Sequence, residues 1–284
     1  YLFTGLALLR LARRGDVVVA KTDPPLLSLV AAPVAMLKGA RLVNWLQDLF
    51  PEVAGAVGLS WARGALGRFL GALRDRTLRS SHATVATGMR MKRYLISRGV
   101  SEDKVRVIHN WADGALICPI RPEDNVLRRE WRLDGKFVVC YSGNMGRVHE
   151  FQTILGAMGA LKGDGDIVFV FIGGGAQRPW LEVQARERGL SNVRFMPYQP
   201  REGLAESLSV PGVHLISLLP EVEGYVVPSK FYGIAAAGRP AIFIGSADGE
   251  IAGLINEAQC GIAIETGDIG GLAAAILRLR DDTA

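Results

Sequence analysis

Short runs of aliphatic and β-branched residues alternate along the chain with longer stretches in which apolar positions recur every three or four residues. The runs predict strands at residues 17–21, 42–45, 84–86, 105–108, 137–142, 167–172, 193–196, 213–218, 241–244 and 262–264. The longer stretches predict helices at 1–14, 26–37, 66–79, 151–161, 179–188, 201–208, 229–237, 251–258 and 269–280. Strict alternation is typical of parallel, doubly wound sheets, so the chain is predicted to be an α/β protein.

The pattern breaks at residues 110–122, which lack periodicity and contain two prolines. The predicted parts are an N-terminal Rossmann-like domain at 1–112, a linker at 113–122 and a C-terminal Rossmann-like domain at 123–284. The first domain has fewer predicted strands than the second, and the chain opens inside a helix that Gly15 is expected to cap. We therefore expect the first domain to be incomplete at its start.

Composition and charge narrow the class of protein. A hydrophobic content of 49% and a charged content of 21% are ordinary for a soluble α/β protein, and 284 residues favour two domains. The net charge of +5 indicates an anionic partner, such as a phosphorylated substrate, a membrane surface or nucleic acid. Nucleic acid is disfavoured, because the basic residues come without an aromatic stacking platform. The apolar segment 26–37 is shorter than the ~18 residues of a membrane span and is predicted to be a buried helix.

Cysteine and histidine spacing gives no sign of a metal site. Cys118, Cys140 and Cys260 lie far apart, and the four histidines show no ligand spacing. Neither a disulfide framework nor a zinc site is indicated, and the cytoplasm is the predicted compartment.

The segment 221–240 reads as a loop, a helix and a sharp stop. Pro228 and Ser229 suit the first positions of a helix, which places Lys230 in the first turn, where the helix dipole disfavours a cation. An anion held between the ammonium and the backbone N–H groups would explain this choice, and a diphosphate fits it. The alternative is a surface helix with an exposed lysine.

Three segments carry a resemblance to a known family. Residues 47–52 (QDLFPE), 142–149 (SGNMGRVH) and 227–240 (VPSKFYGIAAAGRP) are similar to those of family-4 glycosyltransferases, and most of all to bacterial surface-polysaccharide members of the colanic-acid or amino-sugar type. The resemblance implies the GT-B fold, in which two Rossmann-like domains face each other across a cleft. It also implies retaining transfer of a sugar from a nucleotide-diphosphate donor, with UDP favoured, to a lipid-linked or oligosaccharide acceptor. No metal or other cofactor is expected.

The resemblance also implies donor-side roles. Lys230 is expected to hold the diphosphate. His149 would donate to the β-phosphate, or it is a loop histidine bonded to backbone. Glu223, or Glu221 instead, would be the first of two family glutamates, and the second, expected near Gly233, is absent. The other expected donor-binding residues are Gly143, Asn144, Gly146, Arg147, Gly174, Tyr198, Val227, Pro228 and Ser229.

A second set is expected on the acceptor side. Asp48 would orient the acceptor or the transferred sugar, or it caps the following turn. The other expected acceptor-side residues are Thr22, Asp23, Gln47, Glu52 and Asn110, and a structural role beside the hinge is preferred for Asn110.

Residues 61–79 combine five arginines with Trp61, Leu66 and Phe69. A helix of this composition can lie on an anionic membrane, which would place the protein at the inner face of the cytoplasmic membrane. Alternatively, the apolar residues belong to the core and the arginines are a solvated face.

Two other functions remain open. One is a nucleotide-sugar 2-epimerase on the same fold. The other is a non-catalytic nucleotide-sugar-binding subunit of a polysaccharide synthesis complex, which the missing second glutamate would suit.

Overall fold

The computed structural model describes residues 1–282 and divides the chain into two compact units. The first consists of Tyr1–Asn110 and Glu221–Val227, and the second of Trp111–Pro220 and the chain from Pro228 onward. The sequence pattern had assigned residues 221–227 to the second domain. They lie with the first unit because the Leu49 N–H donates to the Tyr225 carbonyl oxygen over 2.8 Å and Val226 forms a β-bridge with Asp48.

The first unit holds a parallel sheet with strand order β1-β2-β3-β4. Its elements are α1 Leu2–Leu11, β1 Val17–Lys21, α2 Ser28–Lys38, β2 Arg41–Trp45, α3 Glu52–Ala56, α4 Ser60–Arg63, α5 Ala65–Ser80, β3 Ala83–Ala86, α6 Met89–Ser97 and β4 Val105–Val107. The predicted strands are confirmed to within one residue. Strand β1 lies at the edge of the sheet, and its Val17 and Val19 are exposed.

The second unit holds a six-stranded parallel sheet of order β10-β9-β8-β5-β6-β7. Its elements are α7 Val126–Glu130, β5 Phe137–Ser142, α8 Gln152–Ala160, β6 Ile167–Ile172, α9 Arg178–Glu187, β7 Val193–Met196, α10 Leu204–Ser209, β8 Val213–Ser217, α11 Lys230–Ala236, β9 Ala241–Gly245, α12 Glu250–Ala258, β10 Gly261–Glu265 and α13 Ile269–Asp281. Strands β6, β8 and β9 are buried along their whole length, as helices on both faces require. Two Rossmann-like parallel-sheet domains are thereby confirmed.

Some helix predictions need correction. The first helix ends at Leu11 with an extended Ala12 at its C-cap, so Gly15 does not cap it. Helix α2 is buried on one face only, and the side of Met36 and Leu37 is open, with exposed fractions of 82% and 75%. The predicted amphipathic helix at 61–79 is two helices, which Gly64 separates with an extended backbone.

None of the helices within residues 1–282 combines the length and the apolar character needed to cross a bilayer.

Candidate functional site

The sheet of the second unit reverses its order of chain connection between β5 and β8. One half of the sheet continues from β5 through β6 to β7, and the other from β8 through β9 to β10. Open α/β sheets bind ligands at the carboxyl ends of the strands that flank such a point. The loop after β5, Ser217 at the end of β8 and the start of α11 therefore form the candidate site.

Lys230 is the first residue of α11. Its Nζ lies 3.6 Å from the centroid of the Tyr141 ring, is buried and has no hydrogen-bond partner among the described residues. Burial lowers the pKa of this ammonium to about 7. The alternative of an exposed surface lysine is therefore wrong, since a buried ammonium without an acceptor is costly unless a ligand supplies one.

The helix start differs from the prediction. Ser229 occupies the N-cap and its side chain makes no capping hydrogen bond, while Pro228 lies outside the helix. Val227 is buried. The positive charge of Lys230 is thus the main feature that α11 brings to the site.

Two glycine turns pack against each other beside Lys230. Gly143 has φ +117°, and a Cβ built there would lie 3.7 Å from Lys230 Nζ. A Cβ on Gly173 would approach the Gly143 carbonyl oxygen to 2.3 Å, and the Met145 N–H donates to the Gly174 carbonyl oxygen over 2.7 Å. Glycine is therefore required at both positions, at 143 by its positive φ and at 173 by the close approach of the neighbouring turn.

The other residues predicted in this loop lie around the turns. Asn144 and Arg147 are exposed, and the Asn144 amide lies close to Gly146 and Gly175. Tyr198 is exposed and its ring stands against Gly173 and Gly174. A base-stacking role for Tyr198 stays a prediction.

His149 makes the backbone hydrogen bond of the second interpretation. Its Nδ1 lies 2.6 Å from the Ser217 carbonyl oxygen, and because a carbonyl only accepts, Nδ1 carries the proton. Burial and then the charge of Lys230 lower the pKa of His149 to about 3, so the ring is neutral. Nε2 is then an acceptor and does not donate to a phosphate oxygen in this state.

The carboxyl ends of β1 and β2 in the first unit bring together four predicted acceptor-side residues. Thr22 Oγ1 accepts hydrogen bonds from the backbone N–H groups of Gln47 and Asp48, at 2.8 and 3.3 Å. Burial and then the charge of Asp23 raise the pKa of the Asp48 carboxyl. Asp48 does not cap α3, since Pro51 occupies that N-cap.

Glu52 is engaged inside the first unit. Its carboxylate accepts two hydrogen bonds from Arg74, at 2.5 and 2.8 Å, and one from the Tyr94 hydroxyl at 2.7 Å. Burial opposes ionisation, but the hydrogen bond and charge of Arg74 prevail and lower the pKa of Glu52. The Arg74 ion pair and the Tyr94 hydrogen bond thus tie α3 to α5 and α6 through Glu52, and its acceptor-side role stays a prediction.

The two loop glutamates lie in the first unit. Glu221 lines a cavity of about 440 Å³ together with Glu52, Tyr94 and Arg98, and Glu223 forms a β-bridge with Val226. Position 233, where a second glutamate was expected, faces packing, since a Cβ there would lie 3.3 Å from Leu208. Asn110 ends the first segment of this unit.

Sequence reasoning missed Tyr141 and Ser217. Tyr141 lies in a strand whose four central residues are all buried, and Ser217 ends one that is buried throughout. Strands covered on both faces lack the alternating pattern that would single out one side chain. Among residues 1–282 no group of three or more metal-ligating side chains is placed to hold a metal ion, and the need for a metal stays untested.

Both halves of the chain match known family models. Residues 136–282 match the model described as "Glycosyl transferases group 1", and residues 1–111 match "Glycosyl transferase 4-like domain".

Two of the curated relatives that match this chain come from Escherichia coli and Pseudomonas aeruginosa. The chain is 30% identical over 253 residues to WcaI of Escherichia coli (strain K12), a protein named for glycosyl transfer in colanic acid biosynthesis; the match covers 86% of this chain and 61% of WcaI. It is 29% identical over 267 residues to WbjE of Pseudomonas aeruginosa, named as a probable glycosyltransferase, with 93% and 66% covered. The chain thus spans less than two thirds of the length of either relative.

Solved structures share the fold. HepE of Anabaena, solved in complex with UDP, superposes with a TM-score of 0.80 at 17% identity over 98% of this chain and 72% of HepE. The lipopolysaccharide outer core galactosyltransferase WaaB superposes with a TM-score of 0.65 at 15% identity over 99% of this chain and 70% of WaaB. At these identities the likeness shows the fold alone, and it confirms the GT-B prediction.

Proposed function

Because this chain belongs to the family of group 1 glycosyl transferases, we propose that it transfers a sugar from a nucleotide-diphosphate sugar, with a UDP-sugar favoured, to a lipid-linked or oligosaccharide acceptor in surface polysaccharide biosynthesis. The observation that supports this most is the buried Lys230 ammonium, which has no hydrogen-bond acceptor among the described residues and stands beside Gly143. The names of WcaI and HepE agree with a role in polysaccharide synthesis and with a UDP donor.

In this proposal Lys230 carries the electrostatic part of the reaction. A diphosphate bound beside Nζ favours the charged ammonium, so a lysine with a pKa near 7 takes up a proton as the donor binds. The compact charge then stabilises the leaving diphosphate. The acceptor hydroxyl attacks the same face of the sugar, with retention, as the bond to the diphosphate breaks, and its proton passes to the departing diphosphate.

His149 has a different part from the one predicted. Its neutral ring, with the proton on Nδ1, offers Nε2 as an acceptor. We propose that Nε2 accepts a hydrogen bond from a hydroxyl group of the nucleotide sugar. The phosphates are then bound by Lys230 and by the backbone of the glycine turns.

We propose that Asp48 orients the acceptor. The raised pKa keeps a proton on its carboxyl to higher pH than usual, and the Thr22 hydroxyl fixes the backbone at 47–48. We further propose that the protein acts at the inner face of the cytoplasmic membrane and contacts the bilayer through residues 61–79. Arg74 takes no part in that contact, because it is buried in its ion pairs with Glu52 and Asp75.

Calorimetric titration with UDP and GDP tests the donor assignment. We expect Lys230→Ala to weaken binding of the preferred nucleotide at least tenfold, which corresponds to a loss of about 1.4 kcal/mol of binding free energy. Lys162→Ala is the matched control, because Lys162 is an exposed lysine of the same unit. Equal affinity of both variants would show that the phosphates bind elsewhere.

A non-catalytic nucleotide-sugar-binding subunit is the second candidate. It is favoured by Gly233, which packs against Leu208 where relatives are expected to carry a glutamate. Nucleotide binding without sugar transfer or donor hydrolysis would support it. The matched models describe transferases, which leaves the 2-epimerase without support.

A further inference from the structure

A groove of about 640 Å³ lies on the first unit, at the amino ends of the strands, whereas Asp48 lies at their carboxyl ends. Arg41 begins β2, His82 precedes β3 and Lys104 precedes β4, so the groove follows the amino ends of the strands. Met36 of α2 adds an apolar side chain to the groove, and Arg76 of α5 adds a cationic one.

The electrostatics of the groove have one sign. Arg41, Arg76 and Lys104 line it, and no Asp or Glu is among its described lining residues. Within residues 1–282, the Arg41 and Arg76 side chains make no ion pair, and the Lys104 ammonium donates only to the Arg79 carbonyl oxygen, at 3.0 Å. Uncompensated cations in a concave surface attract anions.

Apolar side chains border these cations. Met36 and Leu37 are 82% and 75% exposed. Leu66 and Phe69 of α5 are exposed. Residues 66, 69, 73 and 76 follow one another at intervals of three or four, so they share one face of the helix, which is apolar at Leu66 and cationic at Arg76. A soluble phosphate or a nucleic acid would contact only the cations of the groove. A bilayer interface can contact the cations through lipid phosphates and the apolar border through acyl chains.

We propose that this groove and the outer face of α5 form a docking surface for an anionic lipid bilayer, with lipid phosphates in the groove and Phe69, Leu66 and Met36 at the acyl boundary. The proposal deepens the membrane contact in the proposed function, since it moves the centre of that contact from the arginine series at 61–79 to a groove built by four elements. Each lysine or arginine near an anionic membrane surface adds only a small attraction, so binding depends on several cations together and falls with salt.

Co-sedimentation of the full chain with vesicles tests the surface. We expect binding to phosphatidylglycerol-containing vesicles at low salt and little binding to vesicles of phosphatidylcholine alone. The variant Arg41→Glu/Arg76→Glu should bind at least tenfold more weakly. The control Lys162→Glu/Arg186→Glu changes the net charge equally, at exposed positions of the second unit, and should bind like the wild type.

Further arms identify the occupant. Phe69→Ser should reduce the binding that persists at high salt. The proposal would be overturned if both charge variants bound vesicles equally, or if the wild type did not bind vesicles. It would also be overturned if inorganic phosphate or duplex DNA competed as effectively as anionic vesicles. Titration of the same samples with UDP and GDP keeps it separate from the donor assignment. Nucleotide binding should survive in Arg41→Glu/Arg76→Glu, and vesicle binding should survive in Lys230→Ala.

Discussion

The Lys230 side chain stores unfavourable free energy in the folded protein. Its Nζ is buried over Tyr141 with no acceptor among the described residues, and its pKa is about 7. The unfolded chain holds this proton up to a pKa of about 10.4, so between these values the unfolded state binds more protons. Lys230 therefore makes stability rise with pH across this window, and its destabilising effect is fully present below pH 7.

We expect Lys230→Met to raise the free energy of unfolding at pH 7 by about 2–4 kcal/mol, because the neutral side chain removes the buried charge. The gain should shrink toward pH 10. Urea unfolding at pH 7 and pH 9.5 measures both effects, with Lys162→Met as the exposed control. A loss of stability in the Met variant, with the wild-type pH dependence retained, would mean that the ammonium has a partner in the folded state.

Residue types in the site were only partly predictable. Lys230 stood out because it lies in the first turn of a predicted helix, where the dipole disfavours a cation, and His149 and Gly143 because their segment resembles one of the family. The proton position on His149 was not predictable, since it depends on the Ser217 carbonyl oxygen 68 positions along the chain.

At the scale of elements, α5 is tied to its neighbours by buried charge. Arg74 contacts Glu52 at the start of α3, and its neighbour Asp75 also accepts from Arg98 next to α6. Removal of Glu52 breaks one of the two ion pairs of the buried Arg74 guanidinium, and breaking a buried pair commonly costs 3–5 kcal/mol.

We expect Glu52→Ala to destabilise the first unit by about 3 kcal/mol, and the double variant Glu52→Ala/Arg74→Met to be less destabilised than the sum of the single variants. Because the folded pKa of Glu52 is lowered, its contribution is present above the unfolded pKa of about 4.3 and is lost as pH falls through the folded value. Chemical unfolding of the four members of this cycle at pH 7 and pH 4 measures it. Strictly additive effects would show that the pair is not coupled.

Element prediction succeeded for strands and was weaker for short helices. Strands buried on both faces read as aliphatic runs, which is why β5 and β6 were predicted with their observed bounds. The half-buried edge strand β7 was also predicted with its observed bounds. Helices α3, α4 and α7 span five residues or fewer, too few for a periodic pattern. Helix α6 was missed because it begins after Gly88 without a side-chain cap.

At the scale of the whole molecule, the segment Glu221–Val227 belongs to a unit whose other residues end at Asn110. No local pattern could predict this, since the contacts that place it are a backbone hydrogen bond to Leu49 and the packing of Tyr225 on Tyr94, with ring centroids 5.0 Å apart. The first unit is thus completed by a late part of the chain.

We expect a fragment of residues 1–110 to be less stable than the same unit in the full chain. The Leu49 amide, which donates to Tyr225 over 2.8 Å in the full chain, should exchange with solvent at least tenfold faster in the fragment. Hydrogen exchange of the two samples measures this, with the Leu46 amide, bonded to Val85 within the fragment, as the internal control. Equal exchange at Leu49 would mean that the late segment adds nothing to the first unit.

The open edge at β1 bears on how concentrated solutions of this protein behave. Val17 and Val19 lie on β1, the edge strand of a parallel sheet, and have exposed fractions of 58% and 55%. The backbone groups on the outer side of an edge strand can pair with a second molecule. Natural sheets protect such edges with charged side chains or a covering segment. Repulsion between molecules from the net charge of +5 is screened by salt and does little to keep two exposed edges apart. We therefore expect this exposed five-residue strand to favour association between molecules at high protein concentration.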